Sequence, residues 1–368
     1  MKILIVSFFD LEETTPRAFR AKSLYKTLRN LGHEVEFISA RKNSKLEKNV
    51  KLKQPVSKIR RLMRSAIGGV LSKSLPDGKN FFEAIKLIFE IKSKYVDLTI
   101  SIGLPFTVHL ATWLAIKSNR LETTYAVADY GDPYSTNPVS KKPFYARGLE
   151  RIILKEFNYV TVPIESSAVA YENILVPAGK IKVIPQGFDL EADYSKNYKK
   201  NPIPSFAFAG ALYKKIRDPS AFLDFLSKIE RDYVFHIYTD LSNSHTISIL
   251  EPYISELAGR MKLHAKIPRD ECLEILSRMD FLINFSNATS IQAPSKIVDY
   301  VLSSRPFITI CQENFDMNEF IAFLNNDFTS FVEPNISQYN EINVARKFAQ
   351  LASPDAPKKG DSVKNVFS

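Results

Sequence analysis

Lys2-Ile3-Leu4-Ile5-Val6-Ser7-Phe8-Phe9 leads, after a polar joint, into Pro16–Leu31, where Phe19, Leu24, Leu28 and Leu31 recur at helical spacing. Leu31-Gly32-His33-Glu34-Val35 follows, and these three pieces decide the fold. An unbroken apolar run suits a strand buried on both faces, as in a parallel sheet. The spacing after Pro16 predicts a helix closed by Gly32. Glu34–Ala40 alternates as a second strand. Strand, helix and strand with short joints form the unit of a parallel sheet covered by helices.

The unit recurs along the chain. Strands are expected at Asp97–Gly103, Thr123–Asp129, Tyr159–Pro163 and Lys182–Pro185, with helices at Pro105–Ser118 and Pro143–Phe157. The alternation restarts near residue 203: strands at Ser205–Gly210, Tyr233–Thr239, Lys262–Ile267, Phe281–Ser286 and Pro306–Cys311, with helices between them. The expectation is an α/β protein of two doubly wound domains facing a central cleft. Residues 1–190 form the first, 203–340 the second, and 341–368 a C-terminal helix and tail. In such sheets ligands bind beyond the carboxyl ends of the strands, which names the loops to inspect.

Composition agrees. At 368 residues, 45% hydrophobic and 24% charged, the chain has the balance of a folded protein long enough for two domains. The 26 Phe and 16 Tyr can fill large cores. Two cysteines, Cys272 and Cys311, cannot supply a disulfide framework or a cysteine zinc cluster, so a reducing compartment is expected. No apolar run reaches the roughly 18 residues of a membrane span. Lys2–Val6 is too short for a signal peptide, so a cytoplasmic protein is expected.

The net charge is +10, and its position is informative. Residues 41–73 hold eleven basic side chains and one acid, Glu47, which accounts for the whole excess. Pro55–Ser74 reads as a basic amphipathic helix within segment 41–75. Ile59, Leu62, Met63, Ile67, Val70 and Leu71 lie along one side, with Lys58, Arg60, Arg61 and Arg64 toward the other. That pattern suits an anionic membrane surface, with Arg60, Arg61 and Arg64 as contacts. The other reading packs the apolar side on the domain and leaves the cations solvated. The segment has no nucleic-acid recognition module and no basic–aromatic stripe, so no nucleic acid is expected as a partner.

Four constellations carry chemistry. Pro294-Ser295-Lys296-Ile297-Val298-Asp299 opens a helix whose N–H groups and dipole favour phosphate. Ser295, Lys296 and Asp299 share one face, which puts a ribose within reach of Asp299 when a phosphate lies at Ser295 and Lys296. A solvated Lys–Asp pair is the alternative. Gly210-Ala211-Leu212-Tyr213-Lys214-Lys215-Ile216-Arg217 runs from a strand end through three cations. Gly210 permits close backbone approach, Arg217 can hold a diphosphate bidentately, and Lys214 or Lys215 adds a point charge. The alternative is an ordinary basic loop. Asp129 and Asp132 follow a buried strand, where either can act on or position an acceptor hydroxyl, or serve as a helix cap. Arg17 and Arg20, three apart after the first strand, can both face the cleft. Of the five histidines only His109, in the helix after Pro105, is a candidate, and the rest have no ligand spacing, so no metal site is expected.

Together these segments resemble the bacterial glycosyltransferases of the GT-B fold, in the large family 4 clan of nucleotide-sugar-dependent enzymes. The opening strand and Arg-bearing helix, Ser101–His109 with Asp129–Pro133, Ile184-Pro185-Gln186-Gly187-Phe188-Asp189, Gly210–Pro219 and Pro294–Pro306 carry the resemblance. Gln186 replaces the usual Asn. The resemblance covers roughly residues 1–310 and is weakest over 41–95. It implies two Rossmann-like domains and sugar transfer from a nucleotide-sugar donor, with retention and with no essential metal or cofactor. The second domain would bind the donor: Gly210, Lys214, Lys215 and Arg217 at the diphosphate, Ile267 and Pro268 clasping the base, Ser295 and Lys296 at phosphate, Asp299 on the ribose. Ile291 stands where the group's first motif acid falls. Asp132, His109 and Lys215 are the catalytic candidates, with His109 touching the donor sugar or, as a lone histidine at a helix start, structural. Arg17, Arg20, Asp129 and Asp132 are the acceptor-binding candidates. The expected acceptor is a lipid-linked glycan in capsule, lipopolysaccharide or exopolysaccharide synthesis, on the inner face of the cell membrane. The rivals are a sugar-nucleotide epimerase of the same architecture and, given Ile291, an inactive nucleotide-binding scaffold.

Overall fold

The computed structural model describes residues 1–41, 74–92, 94–137, 142–174, 176–191, 194–214, 217–286, 295–311 and 316–353. Arg60, Arg61 and Arg64, with the rest of the basic segment from residue 42 to 73, lie outside the described residues.

Contacts divide the chain into two units: Met1–Phe188 together with the chain from Gln338 on, and Asp189–Ser337. The first contains β1 (Lys2–Ser7), α1 (Pro16–Asn30), β2 (Glu34–Ser39), the short helices α2 (Phe81–Ala84) and α3 (Leu87–Glu90), β3 (Lys94–Ile102), α4 (Thr107–Lys117), β4 (Leu121–Asp129), α5 (Ala146–Glu156), β5 (Tyr159–Val162), α6 (Glu165–Glu172) and β6 (Ile181–Val183). The second contains β7 (Ser205–Ala209), α7 (Ser220–Ser227), β8 (Val234–Thr239), α8 (Ser244–Glu256), β9 (Met261–Ala265), α9 (Arg269–Leu276), β10 (Phe281–Phe285), α10 (Ser295–Leu302), β11 (Phe307–Ile310) and α11 (Met317–Leu324). The last helix, α12 (Glu341–Gln350), returns to the first unit.

Both sheets are parallel, in the orders β2-β1-β3-β4-β5-β6 and β11-β10-β7-β8-β9. The run that opens the chain is an interior strand of the first, between β2 and β3, with Ile3, Leu4, Ile5 and Val6 buried. Thr15 starts α1 by accepting the Ala18 N–H through Oγ1 at 3.1 Å, with Pro16 in the first turn. The second unit is filled by phenylalanine. Phe206 stacks on Phe281 and Phe235 at 4.8 and 4.9 Å between centroids, and Phe320 meets it edge-on at 5.5 Å. Each such pair contributes about 0.5–1.5 kcal/mol beyond its buried area.

The C-terminal helix departs from the expected division, which kept 341–368 apart. Val344, Ala345 and Phe348 join the core cluster of Ala21, Leu24 and Leu28. Arg20 lies 4.8 Å over the Phe348 ring, and Ser23 donates to Glu341 at 3.0 Å. Chain spacing shows one apolar helical face but not which core it joins. The joint before β7 belongs to the second unit, where buried Asp280 accepts from Tyr198 Oη at 2.8 Å and from the Ser205 N–H at 2.8 Å.

One carboxylate draws the strand ends of the first unit together. Asp129, at the end of β4, is 1% exposed and takes hydrogen bonds from Arg17, from Arg20 (2.9 Å) and from Thr161 on β5 (2.7 Å). Arg17 also donates to the Gly103 carbonyl after β3 at 2.9 Å, and Arg20 to that of Ile184 after β6 at 3.2 Å. Burial pushes the Asp129 carboxyl up, but Arg20, Arg17 and the hydrogen bonds outweigh it and hold it at about 2.

Removing one partner of a buried pair strands the other charge, which costs about 3–5 kcal/mol. Asp129→Ala is expected to lose roughly that much in urea unfolding, and a loss below about 1 kcal/mol would contradict the arrangement. The carboxyl is depressed from about 3.9 in the unfolded chain. Its contribution is therefore complete above about pH 4 and disappears as pH falls toward 2. The variant should lack that part of the acid profile.

Candidate functional site

The carboxyl ends of the second sheet bring the expected donor residues to two places. The first is the loop after β7. The Gly210 N–H donates to the Tyr238 carbonyl at 2.9 Å, and a Cβ there would stand 2.9 Å from Phe208 Cζ and 3.4 Å from Arg217 Nη1. Only glycine lets the guanidinium close on the strand end without displacing a core ring. Tyr213 and Arg217 exchange both backbone hydrogen bonds, at 3.1 and 2.8 Å, so the loop is pinched at its base. Burial lowers the Arg217 pKa, against the opposing influence of Tyr300 and Tyr213. Lys214 is exposed, and Lys215 lies outside the described residues.

The second place joins the starts of α9 and α10. Ile267 is half-buried and Pro268 caps α9, so the expected base loop runs directly into Arg269. Arg269 Nε donates to Asp299 Oδ1 at 2.8 Å, and Nη2 stands 2.8 Å from the same oxygen. Lys296 Nζ is 3.7 Å from Asp299 Oδ2. The shared face predicted for Lys296 and Asp299 is therefore present. Ser295 opens α10, but its side chain lies outside the described residues, as does Ile291. Tyr300 secures the helix by donating to the Ile283 carbonyl at 2.8 Å.

Arg269 is not among the site residues expected from the sequence. A cation in a first turn opposes the helix dipole, and that conflict was the available signal that it serves a partner elsewhere. Tyr238 and His264 carry no site signal in the sequence. Their rings stack at 4.4 Å beside the ends of β8 and β9, and His236 Nδ1 lies 3.0 Å from His264 Nε2.

The first unit places four of the expected residues in its interior. Arg17, Arg20 and Asp129 were expected at the acceptor; instead they are buried and spend their charges on one another and on carbonyls at the strand ends. His109 was expected to touch a donor sugar. It is fully buried, with Nδ1 2.8 Å from Ser101 Oγ and its ring against Tyr130 at 4.4 Å. Its Nε2 has no hydrogen-bond partner among the described residues and crowds Gly103, where a Cβ would come within 2.3 Å. Burial and the neighbouring Arg17, opposed by Asp129, hold its pKa at about 3, so the ring is neutral at physiological pH. Asp132 is exposed just past these groups and remains available. Among the described residues no group of three or more His, Cys, Asp or Glu side chains could hold a metal, and no helix is long and apolar enough to cross a membrane.

No family model matches the chain, and no curated protein matches it by sequence. By structure it is similar to the lipopolysaccharide outer core galactosyltransferase WaaB in its apo form, at 12% identity and TM-score 0.58, over 96% of this chain and 99% of that one. Anabaena HepE in complex with UDP-glucose matches at 12% identity and TM-score 0.58, over 95% and 98%. The UDP-GlcNAc 2-epimerase of Methanocaldococcus jannaschii matches at 12% identity and TM-score 0.52, over 95% and 99%. The chain has the GT-B fold. The α/β architecture of two parallel-sheet domains expected from the sequence is thus present, and the similarity runs through both GT-B domains rather than through one sheet.

Proposed function

We propose that the protein is a glycosyltransferase that takes a sugar from a nucleotide-sugar donor and passes it to a lipid-linked glycan at the cytoplasmic face of the membrane. The observation that carries this reading is the arrangement at the start of α10: Lys296 and Asp299 share one face beside the loop that ends in Pro268. A helix N-terminus with a lysine suits a diphosphate, a carboxylate one turn on suits a ribose, and the adjoining loop offers backbone groups to a base. The Gly210–Arg217 loop supplies further cations. Charge building on the leaving diphosphate is met by Lys214, Lys215, Arg217 and the helix N-terminus, so the reaction proceeds without a metal or cofactor. Retention of the anomeric configuration is part of the proposal. Asp132, exposed beyond β4, positions the acceptor hydroxyl.

HepE holds UDP-glucose on a similar fold, which favours a UDP-sugar. WaaB is a lipopolysaccharide outer core enzyme, which favours a lipid-borne acceptor in surface-glycan synthesis. The similarity to the 2-epimerase sustains a second reading, in which the sugar is epimerised rather than transferred.

The test begins with thermal unfolding in the presence of UDP-, GDP-, CMP- and dTDP-sugars, because a ligand of the folded state raises the melting temperature. One donor should raise it, and the labelled sugar of that donor should then move into the lipid fraction of the membranes. Recovery of the epimer instead would replace transfer with epimerisation, and binding without turnover would leave a scaffold. Asp299→Ala should weaken donor binding roughly tenfold to a hundredfold, the worth of a hydrogen bond to a charged group, with the fold intact. Unchanged affinity would remove the ribose assignment.

The basic segment is assigned to the anionic membrane surface. Neutralising Arg60, Arg61 and Arg64 together should weaken sedimentation with phosphatidylglycerol vesicles and leave nucleotide binding unchanged. Equal sedimentation would end the membrane assignment.

A further inference from the structure

We propose that Arg269 is a positioning residue for nucleotide recognition: it pins one oxygen of Asp299 so that the other is presented to a ribose hydroxyl. This rests on the donor-site reading above and adds a residue to it. Both contacting guanidinium nitrogens, Nε and Nη2, converge on Oδ1 at 2.8 Å. Oδ2 is left with Lys296 at 3.7 Å, beyond hydrogen-bond length. The two oxygens of one carboxylate are therefore unequal, one fixed and one presented.

The placement of Arg269 suits this role better than a role in stability. It occupies the first position of α9, where its charge opposes the dipole, and Asp270 and Glu271 beside it would be the favourable choice for that turn. The helix gains little from it, and the guanidinium reaches across to α10. The side chains are 31% and 13% exposed, so the pair is part-buried and only partly screened by solvent. An aspartate has two rotatable side-chain bonds, and fixing them before the ligand arrives reduces what binding must order. Arg269 also follows Pro268 without an intervening residue, so the base loop and the ribose carboxylate are coupled through one side chain. Base and sugar of a nucleoside are then read as one piece, and the site favours a ribonucleoside diphosphate over its deoxy counterpart.

The test is a double-mutant cycle on the full chain. Affinity is measured calorimetrically for UDP, GDP, ADP and CDP, and for the 2′-deoxy and 3′-deoxy forms of the best of them. Wild type should bind a ribonucleotide at least fivefold tighter than one deoxy form. Arg269→Ala and Asp299→Ala should each lose about tenfold and collapse that ratio toward one, and Arg269→Lys should recover part of it. The double variant should be no weaker than Asp299→Ala, because Arg269 acts through that carboxylate. Urea midpoints separate this from simple unfolding, which would not alter the ribose-to-deoxyribose ratio. An unchanged ratio in Arg269→Ala, or losses that multiply in the double variant, would overturn the proposal. If wild type binds no diphosphate, the donor-site reading fails and the proposal falls with it. If Asp299→Ala alone loses affinity, the reading survives and only the role of Arg269 is lost.

Discussion

Asp129 is the constraint on which the first unit depends. A carboxylate buried at the end of β4 has no solvent to stabilise its charge, so the chain must bring cations to it. Arg17 and Arg20 do so from one helix, three residues apart, and their spare donors then reach carbonyls beyond β3 and β6. One charge thus gathers α1 and the ends of four strands, counting Thr161 on β5. His109 occupies the same buried neighbourhood as a neutral ring because desolvation, helped by Arg17, disfavours its protonation. Where a parallel sheet usually opens to ligand, this unit has placed a closed polar interior, and Asp132 just past it is solvent-facing.

The second unit solves the same problem differently. Its core is aromatic, and the charges at the carboxyl ends of its strands stay at the edge. Arg217 folds back over Gly210, and Arg269, Asp299 and Lys296 form a half-exposed chain across two helix starts. Charges held at the surface by one another remain open to a ligand, whereas those of the first unit are already spent.

The fold was legible because parallel strands buried on both faces are written as apolar runs. All eleven expected strands are present, within three residues at each end. The C-terminal helix α12, which packs on α1, is not assigned to a unit by the sequence, because amphipathic spacing shows a face and not its partner. The site was legible where residues lie within one element, as for Lys296 and Asp299. Pairing of charges across elements was not legible. Arg17, Arg20 and Asp129 look like outward-facing cleft residues until the fold shows them satisfying one another. Arg269 and Asp299 are 30 residues apart and meet only when α9 and α10 pack.

The most direct test of the account is amide hydrogen exchange with and without the nucleotide sugar that raises the melting temperature. The central claim is that the second unit is the donor-binding unit, through the loop after Gly210, the segment from Lys266 to Arg269 and the first turn of α10. Slowed exchange in those three segments is the predicted result. Protection absent from all three, or confined to the first unit, would contradict it.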